Sequence, residues 1–164
     1  KKFNVLWKKI KTSQRDKFLL RRDMNWLKWH LGYFVDNEKA WVFLSINNKK
    51  IEGYTICIEK KNYKKKIKSA LLIDLITFND SDKTSKNLIG ANINEARKRN
   101  CDIFEFRGFN ETKVKQMKFF NPFKKKLLHN PFYYKSNNKK LTKLLNKNKH
   151  WDPSYLDGDA VVSL

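Results

Sequence analysis

Apolar residues recur along this chain with two different periods, and the change between them separates helices from strands. Near the start they have an i, i+3, i+4, i+7 spacing, which predicts a helix over residues 3–10. The positions with this spacing are Phe3, Leu6, Trp7 and Ile10. The same period predicts a second helix over residues 13–31. Its inner stripe is expected at Leu20, Met24, Leu27 and Leu31.

The period then changes to that of β structure. Two β-rich segments, residues 40–46 and 51–58, flank a turn at residues 47–50 and predict a β-hairpin. After a basic loop at residues 60–66, residues 69–78 are apolar on both faces. This pattern is typical of a central strand covered on both sides.

The rest of the chain alternates between the two periods. A polar loop at residues 79–86, with Asp80, Ser81 or Ser85 as the N-cap, precedes a helix expected over residues 87–99. The further segments predicted are a strand at 101–107, a helix at 111–119 capped by Asn110, short strands at 125–128 and 132–135, and a helix at 139–146. Together they predict one domain over residues 1–164. A chain that begins with Lys1 is also what the C-terminal part of a longer protein would look like.

Composition supports a folded domain with an unusual charge. The chain has 164 residues, 40% of them hydrophobic, and a formal net charge of +21. The charge suggests an anionic partner, either a nucleic acid or a membrane surface. The excess is almost all lysine, however, and AT-rich coding would produce it whatever the function. No secretory signal or long apolar run is visible, so a cytoplasmic protein is expected.

Cysteine and histidine give no sign of a metal centre. Cys57 and Cys101 lie in strand-like segments, and neither has a second ligand at metal-binding spacing. His30, His129 and His150 are equally isolated. We therefore expect no metal and two buried free thiols.

Three stretches resemble one family. Arg22-Asp23-Met24-Asn25-Trp26-Leu27-Lys28-Trp29, Leu72-Ile73-Asp74-Leu75, and Trp151 with Asp157-Gly158-Asp159 are similar to elements of bacterial GNAT-like proteins linked to polysaccharide and cell-envelope biosynthesis. GNAT proteins are N-acyltransferases. The resemblance implies an α+β (α/β) fold with a mixed, mostly antiparallel central sheet flanked by helices on both faces. It also implies acetyl-CoA or another acyl-CoA as donor, a small amine as acceptor, and allows a second GNAT-like half before this chain.

The resemblance also places the coenzyme. The pantetheine arm would lie along the end of the central strand, and the pyrophosphate would rest on the start of the next helix, where the helix dipole favours anions. The positions that match are Leu75, Ile76, Thr77, Phe78, Lys83, Ser85, Lys86 and Asn87.

Two features depart from the family pattern. The loop of residues 79–87 has none of the glycines that let the backbone of active members wrap the phosphates. Met117 occupies the position of the tyrosine that serves as acid, and a thioether cannot donate a proton. We expect Met117 to be core filler.

Acyl transfer to an amine needs a base and an acid or dipole. Asp74 is the best base candidate because it interrupts an apolar strand, although a structural carboxylate bonded to a neighbouring arginine or to a backbone amide fits the same pattern. Glu105 is a second candidate, with a simple ion pair to Arg107 as its alternative. Tyr133 is a substitute acid, and packing explains it equally well.

Three functions follow from these residues. The leading one is a GNAT-like acyltransferase acting on an amino sugar or cell-envelope precursor. The second is a degenerate GNAT fold that binds or scaffolds without catalysis. The third is an electrostatic binder of nucleic acid or anionic lipid, because lysine-rich tracts alternate with aromatic residues.

Overall fold

The computed structural model describes residues 2–62, 64, 66–125 and 135–157. Its helices and strands, in chain order, are α1 (Lys2–Ser13), α2 (Met24–Asp36), β1 (Ala40–Asn47), β2 (Lys50–Asn62), β3 (Ile67–Thr77), α3 (Asp82–Lys98), β4 (Ile103–Phe106), α4 (Glu111–Met117) and α5 (Lys139–Leu145). Short 3₁₀ turns follow β3 and α4, and two more lie at residues 148–150 and 155–157.

The four strands form one sheet in the order β1-β2-β3-β4. The first two pairs are antiparallel, and β3 and β4 are parallel. A two-residue turn joins β1 to β2, and both of its residues, Asn48 and Lys49, have positive φ. Such a turn matches the right-handed twist of a hairpin. The sheet is therefore mixed and mostly antiparallel, as expected.

A β-bulge interrupts β3 at Ile73. Ile56 lies opposite Asp74, but Cys57 lies opposite Leu72, so Ile73 is an extra residue. As a result, Ile73 and Asp74 both point to the same face of the sheet, since Ile73 packs in the core beneath α1 and α2 and Asp74 bonds Tyr54 there.

Two hydrophobic cores cover the two faces of the sheet. On one face α1 and α2 pack over β2 and β3. On the other face α3 packs through Leu88, Ile89 and Ala96, joined by the buried Met117 of α4. Met117 is core filler, as predicted. Both faces of β3 are buried from Ser69 to Thr77, which confirms a central strand.

The prediction for the second helix was wrong in its bounds. Residues 14–23 form turns and an extended segment, and α2 begins only at Met24. The side chain of Asp23 accepts a hydrogen bond from the Trp26 amide and caps the helix there. Leu20, placed in the predicted inner stripe, is exposed. The helical spacing of apolar residues extends over residues 14–23, but this segment is not helical, and it places the Arg22 side chain in the interior.

Two other elements, α3 and β4, also differ from prediction in their bounds. The helix α3 begins at Asp82, five residues earlier than expected, because Ser81 caps it by accepting the Thr84 amide. The strand β4 keeps only four of seven predicted residues, so Cys101 precedes it and is only partly buried. The helix α5 agrees with prediction. The strands expected at 125–128 and 132–135 lie mostly outside the described residues.

Candidate functional site

The parallel pair β3 and β4 diverges at its carboxyl end. Ladder pairing joins Ser69–Leu72 of β3 to Ile103–Phe106 and stops there. Residues 73–77 of β3 continue, and among the described residues no strand pairs with them on that side. The carboxyl ends of parallel strands, where neighbouring strands part, are the usual ligand site of open α/β sheets.

The N-terminus of α3 lies at the same end of the sheet. It follows β3 after one 3₁₀ turn, residues 78–80, and the helix then runs for 17 residues. A helix of this length presents a partial positive charge and free amides at its first turn. A strand edge without a partner and a helix N-terminus thus meet at one place.

The turn between them has a special backbone. Asn79 and Asp80 both adopt left-handed φ, at 54° and 49°. Asparagine and aspartate tolerate this conformation better than most residues. Gln116 donates to the Asp80 carbonyl at 3.2 Å and holds the turn. Positive φ, which glycine adopts most readily, is therefore reached at these two positions without glycine.

The charges at this end nearly balance. Lys86 donates to the Asp82 carboxylate at 2.7 Å, and its ammonium also lies over the ring of Phe119. Lys83 and Asn87 are exposed. Lys83 and Lys86 thus equal Asp80 and Asp82 in number, and one pair, Lys86 with Asp82, is in contact.

The remaining coenzyme candidates are part of the core or its border. Leu75, Ile76 and Thr77 are buried on β3, and Phe78 is partly exposed just after it. Ser85 is buried, and its hydroxyl lies 3.3 Å from that of Thr77. This contact ties α3 to β3, so Ser85 faces the strand.

Asp74 lies at the centre of a buried charged cluster on the face covered by α1 and α2. Its Oδ2 accepts hydrogen bonds from Arg22 Nε at 3.0 Å and from the Tyr54 hydroxyl at 2.7 Å. Arg22 is 3% exposed and Asp74 is 1% exposed. Asp74 Oδ1 is buried and has no hydrogen-bond partner. The arginine-bonded carboxylate, which the sequence left as an alternative, is what the structure shows.

The same arginine also holds the C-terminal segment, residues 151–157. Arg22 donates to Ser154 Oγ at 3.0 Å and to the carboxylate of Asp157. The other oxygen of Asp157 accepts the Ser154 amide at 2.8 Å. The Arg22 guanidinium therefore joins the central strand to Asp157, which lies 135 residues after Arg22 in the chain.

The cluster contains two carboxylates and one cation, and this surplus affects its titration. Burial alone lowers the pKa of Arg22, but Asp74 and Asp157 more than offset this and raise it above its usual value. Burial raises the pKa of Asp157, and although Arg22 opposes the rise, the charge of Asp74 adds to it. Burial and the charge of Asp74 also raise the pKa of Tyr54 well above its usual range. Tyr54 therefore remains a hydrogen-bond donor.

A second buried ion pair fixes the same segment to α4. Lys113 donates to Asp152 Oδ1 at 2.7 Å, and Asn110 donates to the same oxygen at 2.6 Å. Phe18 and Trp151 add a parallel backbone bridge. The segment is thus anchored at both of its ends.

Glu105 lies on β4 level with Leu71 of β3 and points to the same face of the sheet as Asp74. Its Oε2 lies 3.7 Å from Arg107 Nη2, so the two residues form the ion pair that the sequence offered as an alternative. Tyr133, with His129 and Asp159, lies outside the described residues. No cluster of metal-ligating side chains occurs in the described ranges. None of the helices described there is long and apolar enough to cross a membrane.

Sequence reasoning missed Arg22 and Tyr54 as partners of Asp74. Arg22 was visible only as part of a family-like motif, and Tyr54 only as one apolar position of a strand. A polar residue within a buried strand does signal that partners must exist, because buried charges are paired. Which partners they are depends on long-range packing.

Comparison with known proteins identifies the fold. No family model matches the sequence, and no curated protein sequence matches it. Among solved structures, a predicted acetyltransferase from Clostridium acetobutylicum, determined with acetyl-CoA, has a TM-score of 0.59 at 13% identity and covers 80% of this chain and 89% of its own. An aminoglycoside acetyltransferase from an uncultured soil metagenomic sample has a TM-score of 0.57 at 18% identity, covering 83% and 89%.

An acetyltransferase from Trypanosoma brucei has a TM-score of 0.60 at 6% identity, covering 80% of this chain and 93% of that one. All three are matched over most of both chains, although their sequences have diverged almost completely. The likeness therefore lies in the arrangement of helices and strands. This chain has the fold of the GNAT acetyltransferases.

Proposed function

We propose that this chain transfers an acetyl or related acyl group from acyl-CoA to an amine. The observation that carries the proposal is the divergence of β3 and β4 beside the N-terminus of α3. It supplies an unpaired strand edge for an amide-containing arm and a helix start for a pyrophosphate. A solved structure of the same fold contains acetyl-CoA.

The residues at this end fit such a coenzyme. The main chain of Leu75, Ile76 and Thr77 would pair with the pantetheine arm, and the first turn of α3 with Lys83 would meet the phosphates. Lys86 pairs with Asp82 and so weakens its repulsion of the phosphates, while Asp80 remains an opposing charge in the preceding turn. Bound there, acyl-CoA would supply the acyl group as a thioester. Phe78, Ser85, Lys86 and Asn87 would border the site, Ser85 and Lys86 by positioning α3 and its charges.

The chain must also accept the proton of the acceptor ammonium. Asp74 is the proton acceptor we favour, because one oxygen has no hydrogen-bond partner and the cluster has a surplus carboxylate. Its burial means that the proton must reach it through a relay or a local opening of the C-terminal segment. Glu105 is the competing base on the same face, and Tyr133 is the competing acid.

The acceptor we propose is the amine of an amino sugar or of a cell-envelope precursor. This rests on the family resemblance of the three motifs. The aminoglycoside acetyltransferase, which shares the fold, acts on an amine-bearing sugar by its name. The acceptor would approach from the face where Asp74 and Glu105 point.

Coenzyme binding is tested by calorimetry with acetyl-CoA and CoA at low and physiological salt. Because a chain of net charge +21 attracts any polyanion, the decisive comparison is between two charge reversals on one helix. Lys83→Glu lies in the first turn of α3, and Lys98→Glu lies at its exposed end. We expect the first to weaken binding and the second to leave it nearly unchanged. Equal losses would mean non-specific attraction and would refute the site.

Turnover is tested by thiol release with glucosamine as acceptor. Asp74→Asn is expected to lower kcat and to change the pH profile of kcat. Glu105→Gln tests Glu105 as the competing base, and Tyr133→Phe tests Tyr133 as the competing acid. Each variant is checked for folding by circular dichroism. Coenzyme binding without turnover on amine acceptors would favour the non-catalytic form of the fold. Loss of activity in Glu105→Gln alone would transfer the role of base to Glu105.

A further inference from the structure

An apolar groove lies on the opposite side of the molecule from the parting strands. The helices α1 and α2 cover β2 and β3 but leave one face of β1 open. Val42, Leu44 and Ile46 point into this gap and are 45%, 43% and 61% exposed. The groove has a volume of about 930 Å³, within the range of small-molecule sites.

The floor of the groove has little to offer a polar ligand. The helix α2 contributes Leu27 and Leu31 to the wall of the groove. Among the described residues that line the groove, Tyr54 is the one neutral polar side chain, and its hydroxyl already donates a hydrogen bond to Asp74. An extended peptide laid along such a floor would leave the amides that face the floor without partners, which is costly. A hydrocarbon chain has no such groups and suits the floor.

The rim carries positive charge. Lys2, Lys28 and Lys49 border the groove, and Asp36 is the one acidic residue among the described residues that line it. All three lysines are exposed. The rim therefore favours an anionic head group at the mouth. A second copy of this chain is disfavoured as the occupant, because two surfaces of a protein with net charge +21 would repel one another.

From these features we infer that the groove binds a free single-chain amphiphile with an anionic head group, its hydrocarbon chain along β1 and its head among the three lysines. The groove lies away from the parted strands and touches the Asp74 cluster through Tyr54, and the inference does not rest on the proposed function. The volume of the groove suits one hydrocarbon chain.

Gly32 provides a direct test, because it lines the groove and an added Cβ would meet nothing within 4 Å. Gly32→Leu places a side chain in the space without displacing a neighbour, and leucine is a better helix former than glycine. Gly32→Ala is the matched control, since it raises helix propensity but fills little volume. Melting temperature and circular dichroism verify that both variants fold.

The probe is dodecanoate below its aggregation concentration, measured by calorimetry without coenzyme at physiological salt. Dodecyltrimethylammonium has the same chain and the opposite charge, and butanoate has the same head and a short chain. We expect saturable binding of one dodecanoate per chain, unchanged in Gly32→Ala and weakened about tenfold or more in Gly32→Leu. Both comparison probes should bind at least about tenfold more weakly than dodecanoate.

Five results would overturn the inference. The first is the absence of saturable dodecanoate binding, and the second is equal binding to Gly32→Leu, which would place the ligand elsewhere. Equal binding of the ammonium probe would remove the role of the lysines. Binding to anionic vesicles alone would identify a membrane surface instead. Self-association of the wild-type chain that Gly32→Leu abolishes would make a second copy the occupant.

Discussion

Replacing Arg22 tests the central claim about how this fold is held together. In Arg22→Met the buried carboxylates of Asp74 and Asp157 would lose their shared cation. Removing one partner of a buried ion pair typically costs about 3–5 kcal/mol, because the other charge stays in a poorly solvating environment. A domain with an unfolding free energy of about 5–15 kcal/mol loses a large part of it by this change.

Neighbouring Arg21 is a matched control. It also contacts a carboxylate, that of Asp23, but its side chain is 66% exposed. Arg21→Met removes the same charge one residue away and should change stability far less, because exposed pairs are screened by water. The comparison therefore isolates burial from charge.

The assay is urea unfolding at neutral pH, followed by the fluorescence of the five tryptophans. With a slope of roughly 1–3 kcal/mol per molar urea, the midpoint of Arg22→Met should fall by about 2 M. Adding Asp157→Asn to Arg22→Met should recover part of the loss, because it removes one of the unpaired charges. Equal midpoints for Arg21→Met and Arg22→Met would refute the reasoning.

Three further predictions concern other parts of the structure. Asn92→Ala, which removes a buried amide bonded to Trp41, Thr55 and the Leu88 carbonyl, should cost about 1–3 kcal/mol in urea unfolding, and a neutral result would show that these bonds add nothing net. Gly53→Ala should lower the melting temperature, because the added Cβ would lie 2.8 Å from a carbon of Thr77. Gly90→Ala should raise it, because the nearest atom to the added Cβ is 3.8 Å away and alanine favours the helix. The reverse order of the two melting temperatures would contradict the packing. Because the pKa of Asp157 is raised on folding, its contribution to stability is largest below the ordinary aspartate pKa and falls as pH rises through the higher value. The unfolding free energy of the wild type minus that of Asp157→Asn should therefore decrease from about pH 3 to about pH 7, and a difference that rises with pH would mean that Arg22 dominates.

Local patterns predicted the elements that local forces determine. The hairpin of β1 and β2 follows from two β-rich segments around Asn48 and Lys49, and the central strand β3 from a run that is apolar on both faces. The caps Ser81 and Asn110 were among the predicted ones, because short polar side chains satisfy the first amides of a helix.

The errors arose where distant contacts override local preference. Residues 14–23 have a helical spacing of apolar residues, yet they do not form a helix. Arg22 instead bonds the distant Asp74, and Asp23 caps the helix that follows. The bulge at Ile73 also escaped prediction, because it depends on the pairing register with β2. The candidate site was therefore located by its strand and helix, but its charged neighbours were not.

The C-terminal segment has a consequence for how the chain folds during synthesis. Arg22 leaves the ribosome before either of its carboxylate partners, since Asp74 follows it by 52 residues and Asp157 by 135. Lys113 likewise precedes Asp152 by 39 residues. During this interval Arg22 can pair with Asp74 but not with Asp157. The sheet face can therefore take its final packing only after residues 151–157 have been made, because Leu156 of that segment is part of its core.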